Sequence, residues 1–466
     1  MRISFIYPPK QRVNRCYYTE KIWKNYNENA ILLPSLGMAY LAALVREKGI
    51  EVQLIDANVL NLSEKDIEKR LTDFKPELLL FTCITDNFQD TIWWIKRIRE
   101  MYDARVVIGG PHMELYSKEA LSYDCIDYGV IGDGWETLPE LLDALDNKKP
   151  LLDIKGICYR KDGEVILTEK RLKTVSLEGV PFPARDLLPN DKYDTVLSKQ
   201  SPITTMITAL GCPFRCTYCC TDTVIRSRSA EHVVAEIEEC VNKHGIKEIE
   251  FYDETFTVDK ARIFKVLDLI EEKKLNFLWS IRTRADCVTE EMIKRMANLG
   301  CIRINYGIES ADESILKSIK RDIPFSVIKD AVRWSREAGV TVFGFFMIGL
   351  PNETKETVEK TLNLMLELDL DFIQLNKFVP IPGSEAYEQI KNETGEDFWR
   401  DYTLSKVSLE DFKPYGINLT PQELDYYLEK GYKAFYYRPK YIWRKLIAVR
   451  SFKELYRMAS AALSLK

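Results

Sequence analysis

The chain has 466 residues, of which 46% are hydrophobic and 29% charged, and its formal net charge at pH 7 is −5. This composition is typical of folded proteins with large cores, and the length predicts about three domains. The net charge gives no global basic field, which argues against a nucleic-acid partner. The densest apolar run, 340–350, is too short to span a bilayer, and residues 1–9 lack the features of a signal peptide. We therefore expect a cytoplasmic enzyme.

Residues 1–150 alternate short apolar runs with amphipathic segments. The apolar runs are rich in β-branched residues and end in turn formers, which predicts buried strands. We expect Ser35 to cap the first helix and Gly49 to end it. This alternation is typical of an α/β, doubly wound, Rossmann-like parallel sheet, whose ligands bind beyond the carboxyl ends of the strands. The predicted strands are 3–8, 51–56, 78–84, 105–110 and 128–134, and the predicted helices are 34–49, 63–74, 87–102 and 137–146.

A linker is predicted over residues 151–195. Within it, the segment 156–171 has the pattern of a hairpin, with Asp-Gly at its turn. The following segment, 178–189, is rich in proline and is expected to be extended.

A second alternating series fills residues 196–395. Its six strand–helix units predict a full or partial (β/α)6 TIM-type barrel with its site at the carboxyl ends of the strands. Residues 396–466 lack the alternation, and we expect a helical C-terminal region there. The predicted strands lie near 203–209, 247–252, 277–282, 302–308, 341–348 and 372–378, and the helices at 229–244, 258–273, 289–299, 312–318, 325–338 and 354–368.

Three of the 11 cysteines, Cys212, Cys216 and Cys219, form the pattern C-x3-C-x2-C directly after a predicted strand. Thiolates at this spacing bind zinc or an iron–sulfur cluster. A structural zinc site needs four ligands; the adjacent Cys220 points away in most backbones, and no histidine is near in sequence. Three ligands suit a four-iron cluster with one open iron, while zinc and simple packing stay as alternatives. The remaining cysteines are expected mostly as buried apolar side chains: Cys16, Cys83, Cys125, Cys158, Cys220, Cys240, Cys287 and Cys301.

With the segments at later strand ends, this motif resembles the radical S-adenosylmethionine (SAM) superfamily. The N-terminal part resembles the subgroup that carries a cobalamin-binding domain ahead of the barrel, through "LPSLGMAYLAALV", "GGPH" and "GDGWETLPEL". The resemblance covers nearly the whole chain. The barrel segments that carry it, in order, are "FYDETFT" (251–257), "WSIRTRAD" (279–286), "NYGIES" (305–310), "FFMIGLPNET" (345–354) and "VPIPGSEAY" (379–387).

The resemblance implies three cofactors: a [4Fe–4S] cluster, SAM and cobalamin. In the family, the open iron chelates the amine and carboxylate of SAM. One electron from the reduced cluster then cleaves SAM to methionine and a 5′-deoxyadenosyl radical. The resemblance also implies that Cys212, Cys216 and Cys219 are the cluster ligands. The sequence does not single out any further catalytic side chain.

The family pattern places the polar end of SAM near the second and third strands of the barrel. Asp253 and Glu254 would reach the SAM ammonium, and Arg282 would pair with its carboxylate in a bidentate manner. The alternative for the carboxylates is capping of the next helix, and for Arg282 a salt bridge within the barrel rim.

Four further residues are implied around the nucleoside of SAM. Glu309 would accept hydrogen bonds from the ribose hydroxyls, with Ser310 as a second candidate, and Tyr218 and Gly349 would lie near the adenine. The alternatives are a rim salt bridge for Glu309, loop packing for Tyr218 and a simple turn for Gly349.

The N-terminal half departs from the pattern D-x-H-x-x-G that many cobalamin domains carry after the first strand. The segment 7–21 has no histidine, and His112 follows the fourth strand. If cobalamin binds, we therefore expect its base to be displaced from cobalt and no histidine to take its place. The loop 82–87, which contains Thr85, is expected under the corrin, and four glycines are expected around the nucleotide tail. These glycines, which ordinary strand-to-helix turns explain equally well, are Gly109, Gly110, Gly132 and Gly134.

The C-terminal segment 435–463 is basic and amphipathic. Such a helix can lie on a membrane surface or meet a lipid-like substrate. The favoured alternative is a cap packed on the open side of the barrel, with its arginines in solvent.

We therefore predict a cobalamin-dependent radical SAM enzyme that methylates an unactivated carbon of a biosynthetic intermediate. One SAM would methylate cobalamin and a second would generate the substrate radical. The alternatives are radical cyclisation or rearrangement without methyl transfer, on a lipid or pigment precursor, and a cobalamin- or SAM-binding sensor without turnover. The expected partners are a small-molecule or lipid-like substrate and an external one-electron donor. The sequence does not reveal the substrate or the oligomeric state.

Overall fold

The computed structural model describes residues 1–9, 32–173, 176–416 and 418–448. They form two compact units, both α/β as predicted. The described part of the first unit comprises 1–9, 32–173, 176–193 and 396–409, and that of the second comprises 194–395, 410–416 and 418–448. Cys16 and most of the segment 7–21 lie outside the described residues.

The first unit contains a seven-stranded sheet. Its strands are β1 (Arg2–Tyr7), β2 (Glu51–Asp56), β3 (Leu78–Thr82), β4 (Arg105–Gly109), β5 (Tyr128–Val130), β6 (Ile157–Lys161) and β7 (Glu164–Leu167). They lie in the order β2-β1-β3-β4-β5-β6-β7, and β1 to β5 are parallel. Strands of parallel sheets are buried on both faces, which explains the nearly continuous apolar runs that predicted them.

The hairpin that the sequence places in the linker extends this sheet. β6 pairs antiparallel with β5, so that Tyr159 lies opposite Tyr128. The turn between β6 and β7 consists of Asp162 and Gly163, with φ angles of 51° and 85°. Two positive φ angles define the type I′ turn that the Asp-Gly pair predicts.

The helices of this sheet are α1 (Leu36–Glu47), α2 (Glu64–Phe74), α3 (Phe88–Met101), α4 (His112–Ala120) and α5 (Gly134–Asp146). Four match predicted helices. Ser35 is the N-cap residue of α1, as predicted, but its side chain makes no capping hydrogen bond. The sequence did not predict α4. Its backbone leaves helical geometry at Tyr116 (φ −129°, ψ 34°), and its nine residues are too few for a clear apolar period.

The second unit contains a six-stranded parallel sheet and a separate two-stranded ribbon. The strands are β8 (Ile203–Met206), β9 (Ala209–Leu210), β10 (Arg226–Ser227), β11 (Glu248–Phe251), β12 (Leu278–Thr283), β13 (Cys301–Glu309), β14 (Thr341–Ile348) and β15 (Phe372–Lys377). The sheet order is β15-β14-β13-β12-β11-β8, and β9 pairs with β10. Because β8 and β15 are the two edges, the sheet is open, in agreement with a partial barrel.

Helices alternate with these strands, and all but the last of them, which the sequence did not predict, lie within a few residues of the predicted bounds. They are α6 (Ala230–Asn242), α7 (Lys260–Glu272), α8 (Glu290–Asn298), α9 (Glu313–Ser318), α10 (Phe325–Glu337), α11 (Lys355–Glu367) and α12 (Glu385–Thr394). Parallel order puts the carboxyl ends of all six sheet strands at one edge, where the predicted site residues lie.

The remaining helices are α13 (Phe398–Thr403), α14 (Pro421–Tyr436) and α15 (Pro439–Ala448). α13 packs in the first unit, where Gln89 Nε2 donates to the carbonyl oxygens of Tyr402 and Thr403 at 2.8 and 2.9 Å. α14 packs along the edge strand β15: the Tyr432 and Tyr436 hydroxyls accept hydrogen bonds from backbone N–H groups of that strand. The tyrosines thereby satisfy backbone groups that an exposed edge leaves unpaired.

α15 contains the described part of the predicted basic helix, whose residues beyond 448 lie outside the described ranges. Tyr441 is buried, whereas the side chain of Trp443 is 67% exposed. In the ranges that the structure describes, we find no helix with both the length and the apolar composition needed to cross a membrane.

Candidate active site

The three motif cysteines lie in a loop that follows the first strand of the six-stranded sheet. β9 and β10 pair at the neck of this loop, and the Cys212 N–H donates to the Asp222 carbonyl at 2.8 Å. Gly211 has a φ of 91°, and a Cβ there would overlap the carbonyl oxygen of Val224. Only glycine therefore lets the two sides of the neck approach this closely.

Two of the three motif cysteines are more exposed than most other cysteines of the described residues. Cys216 is 9% exposed, Cys212 is half-buried and Cys219 is exposed. By contrast, burial raises the pKa of the Cys158 and Cys301 thiols to about 12. Burial disfavours the thiolate, the form that binds metals, so those two cysteines are poor ligands.

Thiol chemistry and spacing in the motif loop fit an iron–sulfur cluster. None of the three cysteines is in a disulfide. Within the described ranges, no three Cys, His, Asp or Glu side chains already converge as they would around a bound ion. Cys212 Sγ lies 3.4 Å from Thr255 Oγ1, and Cys219 Sγ lies 3.2 Å from Thr221 Oγ1.

A buried polar network surrounds Cys216. Arg321 Nη1 lies 3.7 Å from Cys216 Sγ and 3.2 Å from Tyr218 Oη, and the Tyr218 hydroxyl donates to Glu309 at 3.2 Å. Burial raises the pKa of Glu309, and the Arg321 charge opposes that shift. Burial and the Glu309 charge also raise the pKa of Tyr218. The structure thus unites three predicted residues with Arg321, which the sequence did not predict.

The two carboxylates after β11 have different surroundings. Asp253 is 2% exposed, and both of its oxygens accept hydrogen bonds from Thr208, through the backbone N–H at 2.6 Å and through the hydroxyl. Its buried neighbour Arg262 lies 3.9 Å away. Glu254 is exposed. Asp253 therefore fixes the start of the motif segment to the end of β11. Glu254 is the more exposed residue, although partial burial of its carboxyl still raises its pKa.

Arg282 lies at the end of β12 with its guanidinium over the Tyr252 ring, 3.9 Å from the centroid. Its Nη2 lies 3.5 Å from Glu250, which also pairs with the buried Arg303 at 3.1 Å. The side chain of Arg282 is 37% exposed. Arg282 therefore combines an aromatic support with an accessible charge, as an anion-binding arginine needs.

Ser310 and Gly349 have structural partners. Ser310 is fully buried, and its hydroxyl lies 3.2 Å from Thr361 Oγ1. Gly349 has a φ of 83°, and its N–H donates at 2.5 Å to the buried Glu353. Burial raises the pKa of Glu353 to about 7, opposed by the backbone N–H groups of Gly349 and Leu350.

The strand ends of the first unit contain the predicted cobalamin residues. Gly110 (φ 99°) packs on the segment after β3, because a Cβ there would lie 2.5 Å from the Cys83 carbonyl oxygen. Gly132 (φ 79°) has no atom within 4 Å of such a Cβ. A Cβ on Gly109 would find ordinary contacts at 3.8 Å and one on Gly134 would lie 3.1 Å from Leu41. Gly132 thus faces open space, as several other turn glycines of the described residues do.

Thr85 and His112 form a buried pair behind these glycines. Thr85 Oγ1 lies 3.1 Å from His112 Nδ1, and the imidazole stacks on Phe88 with ring centroids 4.1 Å apart. His112 is 0% exposed, and burial lowers its pKa to about 3. Its ring is a core side chain, turned away from solvent.

Sequence reasoning missed two buried arginines near the motif loop. Arg321 lies between α9 and α10, more than a hundred residues from Cys216. Arg284 pairs with both oxygens of Asp286 at 3.0 and 2.8 Å and stacks on Phe214, 3.6 Å from the ring centroid. Their only sequence signal is a charged residue beside a strand end or a helix end, which is common on any surface.

Comparison with known families gives two matches. Residues 206–365 match the model of the radical SAM superfamily, and residues 30–142 match that of the B12 binding domain. An uncharacterised methyltransferase of Pyrococcus horikoshii is 33% identical over 90% of this chain and 91% of its own length. The anaerobic magnesium-protoporphyrin IX monomethyl ester cyclase of Rubrivivax gelatinosus is 26% identical over 83% of this chain and 69% of its own length.

A solved structure has a similar fold. The radical SAM methyltransferase TsrM from Kitasatospora setae, determined with cobalamin and a [4Fe–4S] cluster bound, has a TM-score of 0.67 to this chain. The match covers 84% of this chain and 75% of TsrM at 19% identity, so it concerns the fold.

Proposed function

Because the chain belongs to the radical SAM superfamily, in the group that also carries a B12-binding domain, we propose that it methylates an unactivated carbon of a biosynthetic intermediate. Its cofactors are a [4Fe–4S] cluster, SAM and cobalamin. When bound, the cluster supplies the electron that cleaves SAM, and cobalamin carries a methyl group. The methyltransferase relative at 33% identity supports methylation.

The observation that carries this proposal is the motif loop: three thiols, of which Cys216 is buried and the other two are accessible, on one glycine-closed loop at the carboxyl end of β8. We assign Cys212, Cys216 and Cys219 as the cluster ligands. Cys220 is also exposed but directly follows Cys219, so we leave it outside the ligand set.

For SAM, the contacts of the described residues favour some candidates over others. Glu254 and Arg282 have accessible charges for the amine and the carboxylate. Tyr218 and Glu309 lie together beside Cys216, which suits contacts to the nucleoside. Asp253 and Ser310 have buried partners, and Gly349 is fixed by Glu353, so these three act by shaping the strand ends.

For cobalamin, we propose that the strand-end turns of the first unit hold the cofactor. The open space at Gly132 and the close packing at Gly110 define a shaped surface on which Gly109 and Gly134 also lie. Thr85 fixes His112 in the core, which supports binding without histidine on cobalt.

The second candidate function is radical ring closure without methyl transfer. The cyclase relative, at 26% identity over 83% of this chain, favours it. In either case the substrate is a small molecule, and an external one-electron donor is required. The exposed Trp443 on α15 would suit contact with a lipid-like substrate.

Metal content tests the cofactor assignment first. The protein would be isolated without oxygen from cells supplied with cobalamin, and iron and cobalt per chain would be determined. We expect about four iron and one cobalt, since a three-cysteine cluster of this type holds four irons. Iron without cobalt would remove methyl transfer through cobalt, and zinc alone would overturn the whole assignment.

Product analysis then separates the two functions. Methylation consumes two SAM molecules per turnover and gives S-adenosylhomocysteine together with 5′-deoxyadenosine. Cyclisation gives 5′-deoxyadenosine with little S-adenosylhomocysteine. We expect both products from the reduced, fully loaded protein. A product mixture that lacks S-adenosylhomocysteine would exclude methylation, and the absence of 5′-deoxyadenosine would indicate a sensor without turnover.

A further inference from the structure

Arg321 has a buried guanidinium directed at a sulfur atom. Its side chain is 7% exposed. Nη1 donates to Cys216 Sγ at 3.7 Å and to Tyr218 Oη at 3.2 Å, while Nη2 donates to the Gly307 carbonyl at 2.5 Å. Burying a cation this completely is costly unless charged or polar partners surround it. The contacts with Cys216, Tyr218 and Gly307 therefore offset the free-energy cost of burying the Arg321 charge.

The end of β13 is shaped around this guanidinium. A Cβ on Gly307 would lie 2.6 Å from Arg321 Nη2 and 2.6 Å from Glu309 Oε1. The pairing of β13 with β14 shifts register between Gly307 and Glu309, and Glu309 has a φ of 72°. A non-glycine residue in the left-handed region is uncommon and persists where its surroundings determine it. The strand bulge thus admits the arginine and turns Glu309 toward it.

The segment that carries Arg321 is also fastened to the motif loop through its backbone. The Thr217 N–H donates to the Ile319 carbonyl at 3.1 Å, and the Ala386 N–H at the start of α12 donates to the Thr217 carbonyl at 2.8 Å. These bonds hold the guanidinium and Cys216 at a defined separation.

The positive charge of Arg321 contacts the Cys216 sulfur directly, whereas the negative charge of Glu309 lies beside the arginine. Glu309 lies 3.8 Å from Arg321 Nη2, on the opposite side of the fork from Nη1. Glu309 therefore offsets part of the arginine charge, while Nη1 remains directed at the sulfur. In a buried site with a low effective dielectric, a cation at this distance stabilises added negative charge strongly.

We propose that Arg321 is a positioning residue that raises the reduction potential of the iron–sulfur cluster through its contact with Cys216. This inference rests on the proposed function, because it takes Cys216 as a cluster ligand. Reduction adds one negative charge next to the guanidinium, so Arg321 favours the reduced state. Hydrogen bonds to ligand sulfurs and nearby charge are general determinants of cluster potential.

Two variants separate charge from hydrogen bonding. Arg321→Gln keeps a donor for the Gly307 carbonyl and removes the charge, whereas Arg321→Lys keeps the charge and loses the fork. The midpoint potential of the cluster would be measured by EPR-monitored redox titration without SAM. We expect R321Q to lower the equilibrium constant for reduction by about tenfold or more, equal to ~59 mV for one electron, and R321K to shift it less.

The matched control is Arg303→Gln. Arg303 is also a buried arginine, 2% exposed, but it lies near the start of β13, donates to Leu197 and Ser280, and pairs with Glu250. R303Q should destabilise the fold without moving the potential. Iron content is measured in parallel, and chains without a cluster give no signal, so partial loading leaves the titration readable.

The outcomes distinguish this inference from the proposed function. Wild-type protein without iron would refute the function, since the cysteines would then hold no cluster. Wild-type protein with four irons and an R321Q potential equal to the wild-type value would refute the role of Arg321 alone. An unchanged potential with weaker SAM binding in R321Q would assign the guanidinium to SAM and would equally overturn the proposal.

Discussion

The strand ends of the two sheets are built from different kinds of contact. Beyond β8 and β13 of the second unit, Cys216 lies among charged and polar groups, with Arg321 and Glu309 both buried. Beyond β3 and β4 of the first unit, the buried pair is neutral: His112 stacks on a phenylalanine and contacts Thr85. Buried charged groups thus characterise the strand ends of the second unit, and close packing of neutral groups characterises those of the first.

This difference corresponds to the chemistry expected at each site. A cluster changes its charge when it takes up an electron, so fixed charges near its ligands alter the energy of that step. The glycines of the first unit contribute through shape instead: Gly110 lets its backbone pack closely on Cys83, and Gly132 faces open space. Substitutions at the first site should therefore change reactivity, and those at the second should change stability and cofactor retention.

The largest effect is expected from Cys216→Ala. Removing one of the three proposed ligands should abolish SAM cleavage, because the motif loop would then offer only two thiolates to the cluster. Two quantities would be measured: the 5′-deoxyadenosine that is released and the iron content per chain. The first unit should stay folded, since Cys216 lies in the second unit.

Cys240→Ala is the matched control for that variant. Cys240 is also a cysteine of the second unit, but it is fully buried in α6, away from the motif loop. C240A should keep its iron and its activity. Equal SAM cleavage by C216A and C240A would contradict the ligand assignment and with it the contrast between the two sites.

In the first unit, Gly110→Ala should be strongly destabilising. The positive φ costs a residue with a Cβ about 1–2 kcal/mol, and overlap with the Cys83 carbonyl adds about 1–3 kcal/mol. Gly132→Ala, with the same sign of φ and no atom near its Cβ, should cost only the first amount. Urea unfolding measures both. Iron content should stay unchanged, and equal losses of stability would show that close packing does not matter at Gly110.

The sequence predicted the strands and helices of the second unit closely because strand–helix units repeat there with clear apolar runs. It missed α4, whose kink at Tyr116 breaks the helical period. It singled out Cys212, Cys216 and Cys219 as candidate ligands, since their spacing is local. It missed Arg321, because this contact joins positions 105 residues apart and depends on the bulge at the end of β13.

The buried pair of His112 and Thr85 in the first unit should make the free energy of unfolding depend on pH. The pKa of His112 falls from 6.5 to about 3 on folding, because burial disfavours the charged ring. Below pH 6.5 the unfolded chain binds a proton that the folded chain does not, so stability falls as pH decreases toward 3. By pH 4 the loss reaches up to ~3 kcal/mol.

Urea unfolding between pH 7 and pH 4 measures this dependence, and His112→Gln is the comparison. The glutamine side chain can still bond to Thr85, but it binds no proton. The wild-type protein should therefore lose more stability than H112Q over that range. Parallel curves for the two proteins would place the acid sensitivity elsewhere.

The smallest effect is expected from a substitution at Lys320, the residue before Arg321. Lys320 pairs with Glu385 at 2.5 Å, but both side chains are more than half exposed, at 51% and 57%. Exposed ion pairs contribute about 0–1 kcal/mol, because water solvates the separated charges well. Lys320→Ala should thus change the unfolding free energy by less than ~1 kcal/mol and leave the cluster potential unchanged. A potential shift as large as that of R321Q would mean that net charge near the loop matters more than the contact with Cys216, since these adjacent cations differ chiefly in burial and in what they touch.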